Sequence, residues 1–288
     1  MTTKTALITG TSSGLGLTTA IGMANRGYKV FAAMRNLNKQ ERLMQAAEEA
    51  GVNIETVELD VSDTESVTTA VEKIGHVDIL VNNAGIGGAT PLELVPLEEH
   101  QQMFDTNYFG AVRCIHAVLP QMRERGSGSI VNITSVLGLM AMPNQIPYSA
   151  SKWALECLGE ALAHELHSFG IRVVNIEPGV VLTNIFENSA EQTRYDKTSP
   201  YRQVMRRNSK FFTSGQRLGT PAESVTEAVI ESIETEDYRL RWPVGQDAQG
   251  VNEGRATHPA DEWVAMGGDL TDEHFNARYH ALFGIELS

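Results

Sequence analysis

Short runs of consecutive apolar residues alternate along this chain with longer stretches in which apolar positions recur every three to four residues. The runs Thr5–Thr9, Lys29–Met34, Asn53–Leu59, Asp78–Val81, Ser129–Thr134 and Arg172–Glu177 predict strands. Between them Leu15–Asn25, Lys39–Ala50, Thr64–Ile74, Leu97–Arg123 and Tyr148–Phe169 carry helical periodicity. Strands apolar on both faces and separated by helices predict an α/β fold, a doubly wound parallel β-sheet of Rossmann type flanked by helices on both faces.

After Pro178 the rhythm breaks. Residues 182–220 read as a polar, aromatic-dotted stretch without a strand, the kind of segment that serves a ligand. Pro221 then opens a helix to about Ile233, and Arg239–Pro243 supplies a last strand. The remaining residues, 244–288, hold eight acidic and two basic side chains around Trp263, Phe275, Tyr279 and Phe283. With no linker or repeat, the expectation is one domain over 1–243 and an acidic extension over 244–288, packed on the domain or on a partner subunit.

Composition narrows the function. The 288 residues are 42% hydrophobic and 20% charged, enough to bury a sizeable core. Against 36 Asp and Glu stand 23 Lys and Arg, and a net charge of −13 repels nucleic acid and anionic lipid. The longest uncharged stretch, Gly126–Ser151, carries Asn132, Asn144, Gln145 and two prolines, so it suits a site lining and not a membrane span. Cys114 and Cys157 lack disulfide or zinc spacing, and the apolar run before Gly10 is too short for an export signal, so a cytoplasmic protein is expected. His164 and His167 lack a third ligand, so no metal is assigned.

The first predicted strand runs into Gly10-Thr11-Ser12-Ser13-Gly14-Leu15-Gly16 and then a helix. A glycine-rich strand-to-helix turn lets backbone N–H groups and the helix dipole meet an anion, which points to a dinucleotide pyrophosphate. Tyr148 and Lys152 stand four apart on a predicted helix, so they share a face, and Ser135 lies just past a strand end.

The Gly-x-x-x-Gly-x-Gly spacing resembles that of the short-chain dehydrogenase/reductase family, hydroxysteroid-dehydrogenase-like branch, and other segments support the resemblance. Asn82-Asn83-Ala84-Gly85 looks like the family's sheet-stabilising segment bordering adenine and its ribose. Asp60-Val61 is similar to the pair that meets adenine, and Pro178-Gly179-Val180-Val181-Leu182-Thr183 to the segment that holds the nicotinamide carboxamide. Ser135, Tyr148 and Lys152 match the family's catalytic residues, and Asn107 its helix asparagine that anchors a water leading from the lysine. A helix-bending polar residue is the other reading of Asn107.

The resemblance implies hydride transfer between a nicotinamide and a carbonyl or secondary alcohol. A group near the oxygen must then track its charge; Tyr148 takes that role, with Lys152 and the oxidised nicotinamide favouring its phenolate and Ser135 holding the oxygen. Where NAD-preferring relatives carry an Asp for the ribose, this chain has Met34 followed by Arg35 and Asn36. A guanidinium suits a 2′-phosphate, with hydroxyls from Thr11, Ser12 and Ser13 beside it, so NADP(H) is preferred. NAD(H) stays open, since some NADP-dependent relatives carry a basic residue where Ser13 stands, and Arg35 as a solvated cation is the alternative.

An apolar ketone or alcohol is the expected substrate, facing Leu137, Met142, Gln145 and Phe186, with Gly88, Met140, Tyr195, Tyr201, Met205, Phe211 and Phe212 as further candidates. Two other functions stay open: a 3-oxoacyl thioester reductase and a catalytically idle NADPH-sensing regulator. By the same resemblance the Leu97–Arg123 and Tyr148 helices face a partner, so a homodimer or homotetramer is expected.

Overall fold

The computed structural model describes residues 3–182, 198–268 and 271–287. Seven parallel strands form one sheet in the order β3-β2-β1-β4-β5-β6-β7. They are β1 Thr5–Thr9, β2 Lys29–Met34, β3 Ile54–Glu58, β4 Ile79–Asn82, β5 Gly128–Ile133, β6 Ile171–Pro178 and β7 Arg241–Val244. Helices α1 Gly14–Asn25, α2 Glu41–Ala50 and α3 Thr64–Ile74 connect the first strands, followed by α4 Leu97–Phe104, α5 Gly110–Arg125 and α6 Ile146–Leu166. The chain closes with α7 Arg202–Leu218, α8 Ala222–Glu234, α9 Gln246–Thr257, α10 Ala260–Ala265 and α11 Asp272–Phe283.

The pleat explains why both faces are covered. Along β1, Ala6 and Ile8 enter one buried cluster with α1 and α8 residues, whereas Leu7 enters the opposite cluster with α3, α5 and α6 residues. Val131 and Ile133 against Ile130 on β5, and Val174 and Ile176 against Val173 on β6, divide the same way. The direction of strand addition reverses between the hydrogen-bonded neighbours β1 and β4, and in such sheets ligands bind beyond the strands' C-terminal ends at that reversal.

Two expectations change. The predicted helix Leu97–Arg123 is interrupted by a π-helical turn over Asp105–Phe109, where one extra residue per turn rotates the following face. The stretch 182–220, expected to be irregular, contains the 17-residue helix α7. Its buried face includes Arg207, Asn208, Ser214 and Gly215 beside Met205 and Phe211, and these polar residues break up the seven-residue apolar spacing of Val204, Phe211 and Leu218 that marks it as a helix.

The extension forms α9–α11 and joins a third buried cluster, in which Tyr279, Phe275 and Phe283 meet Met140, Met142, Val180 and Phe211. Trp263 donates its indole N–H to the Ala141 carbonyl at 3.0 Å. Among the described residues, no helix is long and apolar enough to cross a membrane.

Candidate active site

The glycine turn follows β1 and is interlocked with the segment after β4. Gly10 adopts φ +72° and Gly14 φ +57°, which glycine reaches without steric cost. A Cβ at Gly16 would strike the Gly10 carbonyl and stand 2.5 Å from Asn83 Nδ2. The Asn83 amide donates to the carbonyls of Thr9 (2.8 Å) and Gly10 (3.2 Å), and the N–H groups of Asn83 and Ala84 both donate to Thr9 Oγ1 at 3.0 Å. Ser13 caps α1 in an extended conformation and its side chain makes no capping hydrogen bond. The first-turn N–H groups of α1 are therefore not met by that side chain, and this cradle of glycine backbone fits a pyrophosphate.

The flanking residues differ in what they can offer a dinucleotide. Both donors of Thr11, its N–H and its hydroxyl, go to the Ala33 carbonyl at 3.1 and 3.0 Å, so Thr11 braces the turn against β2 while Ser12 and Ser13 stay half-buried. Leu15 packs on the core, leaving its backbone to the turn. Arg35 is exposed and makes no ion pair among the described residues, and Asn36 caps the next turn by accepting from the Asn38 N–H at 2.9 Å. Asp60 accepts from the Ser62 N–H at 2.9 Å, and buried Val61 lends its carbonyl to Arg113 at 3.1 Å. Gly85 lies against Asn107 Oδ1, Val181 is buried in the core, and Thr183 and Phe186 lie outside the described residues.

Ser135, Tyr148, Lys152 and Asn107 converge. Ser135 follows β5, caps the short turn Val136–Gly138 through its Oγ, which accepts the Leu137 N–H at 3.1 Å, and hydrogen-bonds Tyr148. Tyr148 and Lys152 sit on successive turns of α6; the ammonium donates to the Ile133 carbonyl at 2.8 Å and lies 5.7 Å from the Tyr148 ring centroid. The π-turn places Asn107 where its amide donates to the Ile86 carbonyl (2.9 Å) and Ser151 Oγ (3.0 Å) and accepts the Ile86 N–H (2.8 Å). Ser151 in turn donates to the Tyr148 carbonyl at 2.7 Å. Asn107 thus ties the segment after β4 to the Tyr148 turn of α6.

Burial dominates the electrostatics. It raises the Tyr148 pKa, with Ser135's hydrogen bond opposing, so the protein alone keeps this phenol protonated. It lowers Lys152 to about 8, against the pull of the Glu156 charge. Such a pair can give and replace a proton near neutral pH.

Apolar groups pack beside Tyr148. Leu137, Met140 and Met142 are buried with Phe211, and Tyr148 and Phe212 pack against them. Gln145 is buried and offers its carbonyl to the Ser149 N–H at 2.7 Å, whereas Tyr201 turns its hydroxyl to Glu93 at 2.6 Å. Among the described residues, no group of three or more His, Cys, Asp or Glu is placed to share a metal ion.

Sequence reasoning missed a buried polar row beneath the site. Sheet register aligns Asn82, Asn132, Asn175 and Arg241, and the amides bond in series at 3.0 and 3.1 Å. Glu156 Oε2 accepts from Asn175 Nδ2 (2.8 Å) and Arg241 Nε (3.1 Å). Glu177 stands 3.4 Å from the same Arg241 nitrogen with no hydrogen bond to either oxygen; burial and the Glu156 charge raise its pKa to about 8 despite Arg241. Polar residues inside otherwise apolar strand runs were the available signal.

The family model described as "short chain dehydrogenase" matches residues 4–194. The chain is 40% identical over 253 residues to human retinol dehydrogenase 8, covering 83% of this chain and 80% of that protein. It is 43% identical over 195 residues to human 17-beta-hydroxysteroid dehydrogenase type 1, covering 65% of this chain and 60% of that protein. Among solved structures, a short-chain dehydrogenase from Streptomyces avermitilis aligns with TM-score 0.78 and 32% identity over 94% of this chain and 100% of that one.

Proposed function

The chain belongs to the short-chain dehydrogenases, and from that premise we propose an NADP(H)-dependent carbonyl reductase that runs in reverse as a secondary-alcohol dehydrogenase. One observation carries the reading: a half-buried Tyr148, bonded to Ser135, beside a buried Lys152 whose pKa is about 8. The glycine turn and the Pro178–Val181 segment would hold NADPH, which would supply the hydride.

Tyr148 gives its proton to the carbonyl oxygen as the carbon is reduced, so the product leaves as a neutral alcohol and the phenol becomes a phenolate. Ser135 donates a hydrogen bond to the same oxygen and holds it at Tyr148. The Lys152 ammonium offsets the phenolate charge and passes a proton back, with Asn107 holding the Tyr148 turn of α6 in place. Arg35, exposed just after β2, would receive the 2′-phosphate. Leu137, Met142 and Gln145 face the substrate, an apolar ketone or alcohol; the apolar wall supports this, as do the retinol and hydroxysteroid relatives by their names. The reading includes a homodimer or homotetramer and a cytoplasmic setting.

The test is oxidation of NADPH and NADH, in parallel, against aliphatic, aromatic, steroidal, retinoid and 3-oxoacyl ketones. NADPH-linked turnover with the apolar ketones, lost in Tyr148→Phe while NADPH still binds, is the expected result. Turnover confined to 3-oxoacyl thioesters would replace the substrate class. Tight NADPH binding with no turnover of any ketone would make the protein a sensor.

A further inference from the structure

The acidic extension hydrogen-bonds the segment after β6 through the side chain of Asp247. Asp247, in the first turn of α9, is 1% exposed. Its Oδ2 accepts the Val180 N–H at 2.6 Å and its Oδ1 the Ala248 N–H at 2.9 Å. The preceding amide, Gly179 N–H, donates to the Val244 carbonyl at 3.0 Å. On the other side, Val181 bridges Thr220, and the Leu182 N–H donates to the Thr220 carbonyl at 3.0 Å. The backbone after β6 is therefore held from 244–247 and from Thr220.

Space at this point is allotted to the carboxylate. A Cβ at Gly179 would overlap Asp247's carboxylate group, and one at Gly245, where φ is +106°, would stand 2.7 Å from its Oδ1. Burial disfavours the charged form of Asp247, and the N–H groups of Val180, Ala248 and Asp247 itself oppose that. Tyr279 is wholly buried with its hydroxyl unbonded among the described residues, and Asp247's charge reinforces burial in raising its pKa. The carboxylate thus works in a dry aromatic setting, where a charge-assisted bond to a backbone N–H is strong.

We infer that Asp247 is a positioning residue: its carboxylate fixes the backbone of Pro178–Val181 so that this segment meets the nicotinamide in one conformation. The inference rests on the cofactor reading above. Asp247 touches neither reacting atoms nor the adenosine half of the site, which lies at the glycine turn. Its loss should therefore weaken the nicotinamide half alone.

Calorimetric titration of wild type, Asp247→Asn and Asp247→Ala with NADP+ and with 2′-phospho-ADP-ribose, which lacks the nicotinamide, separates the cases. Losing one hydrogen bond to a charged group predicts NADP+ binding weaker by about tenfold or more in both variants, with the fragment changed less than about twofold. Equal loss for both ligands, or no loss for either, overturns the inference. Amide hydrogen exchange on cofactor-free wild type needs no variant to fold: Val180 is expected to exchange as slowly as β6. Rapid exchange at Val180, slowed only when NADP+ is added, would mean that the ligand and not Asp247 orders the segment. Failure of wild type to bind either ligand would instead refute the cofactor reading, and this inference with it.

Discussion

Replacing Glu177 by glutamine removes a titration the fold works against. The carboxyl sits at the end of β6, is 1% exposed and holds its proton up to about pH 8, where an ordinary glutamate releases it near 4.5. Between those values the folded protein binds one proton that the unfolded chain has released, so stability must fall as pH rises, by about 1.4 kcal/mol per unit. Over the whole window this single group removes about 3–5 kcal/mol, fully lost above pH 8. Glutamine has the same shape and cannot ionise. Glu177→Gln should match wild type near pH 4.5 and exceed it by that amount at pH 9. Urea unfolding of both proteins across this range, followed by tryptophan fluorescence, gives the difference directly, and the other titrating groups cancel in it. Parallel curves, or a wild type more stable at pH 9, would show that Arg241 keeps Glu177 ionised and that the linkage argument is wrong.

Other consequences follow from the site. Lys152 is charged below about pH 8 and neutral above it, so the rate of ketone reduction should hold on the acid side and fall with unit slope above that pH; a profile flat to pH 10 would remove Lys152 from proton supply. Arg35→Ser should weaken NADPH binding by roughly 10- to 100-fold through loss of a charged hydrogen bond while leaving NADH within about twofold, as fluorescence titration with each would show. Gly16→Ala drives a methyl into the Gly10 carbonyl and the Asn83 amide, and should cost about 1–3 kcal/mol of stability together with most dinucleotide affinity, read by thermal melting with and without NADPH. Asn107→Ala removes two hydrogen bonds to Ile86 and one to Ser151 on α6 and should lower the melting point; a melting point unchanged from wild type would mean that they contribute nothing to holding the π-turn.

Much of the fold was legible because it is written in near neighbours. An apolar run such as Leu7–Ile8 or Val173–Val174 marks a strand buried on both faces, and Gly10, Gly14 and Gly16 mark a turn whose geometry no other residue tolerates. Ser135, Tyr148 and Lys152 could be named for the same reason: strand end and helix face are local properties. The π-turn at Asn107 was not read, since its one extra residue only shifts the phase of the apolar face within a helical pattern that otherwise continues. Helix α7 was missed although Val204, Phe211 and Leu218, and Met205 and Phe212, recur at helical spacing, because Arg207, Asn208 and Ser214 stand among them.

What only the tertiary structure decided are the pairings between distant residues. Val180 and Asp247 are 67 positions apart, and neither carries any local sign of the other. Glu177 reads as an ordinary strand glutamate until Glu156, from α6, and Arg241, from β7, are packed against it. Local propensity acts over a few residues, whereas desolvation and charge pairing depend on what the whole chain brings near a group. The sequence by itself therefore determined the sheet and the turn, and it pointed to the side chains proposed to react. Packing decided which of their backbone segments are held and at what pH their buried acids ionise.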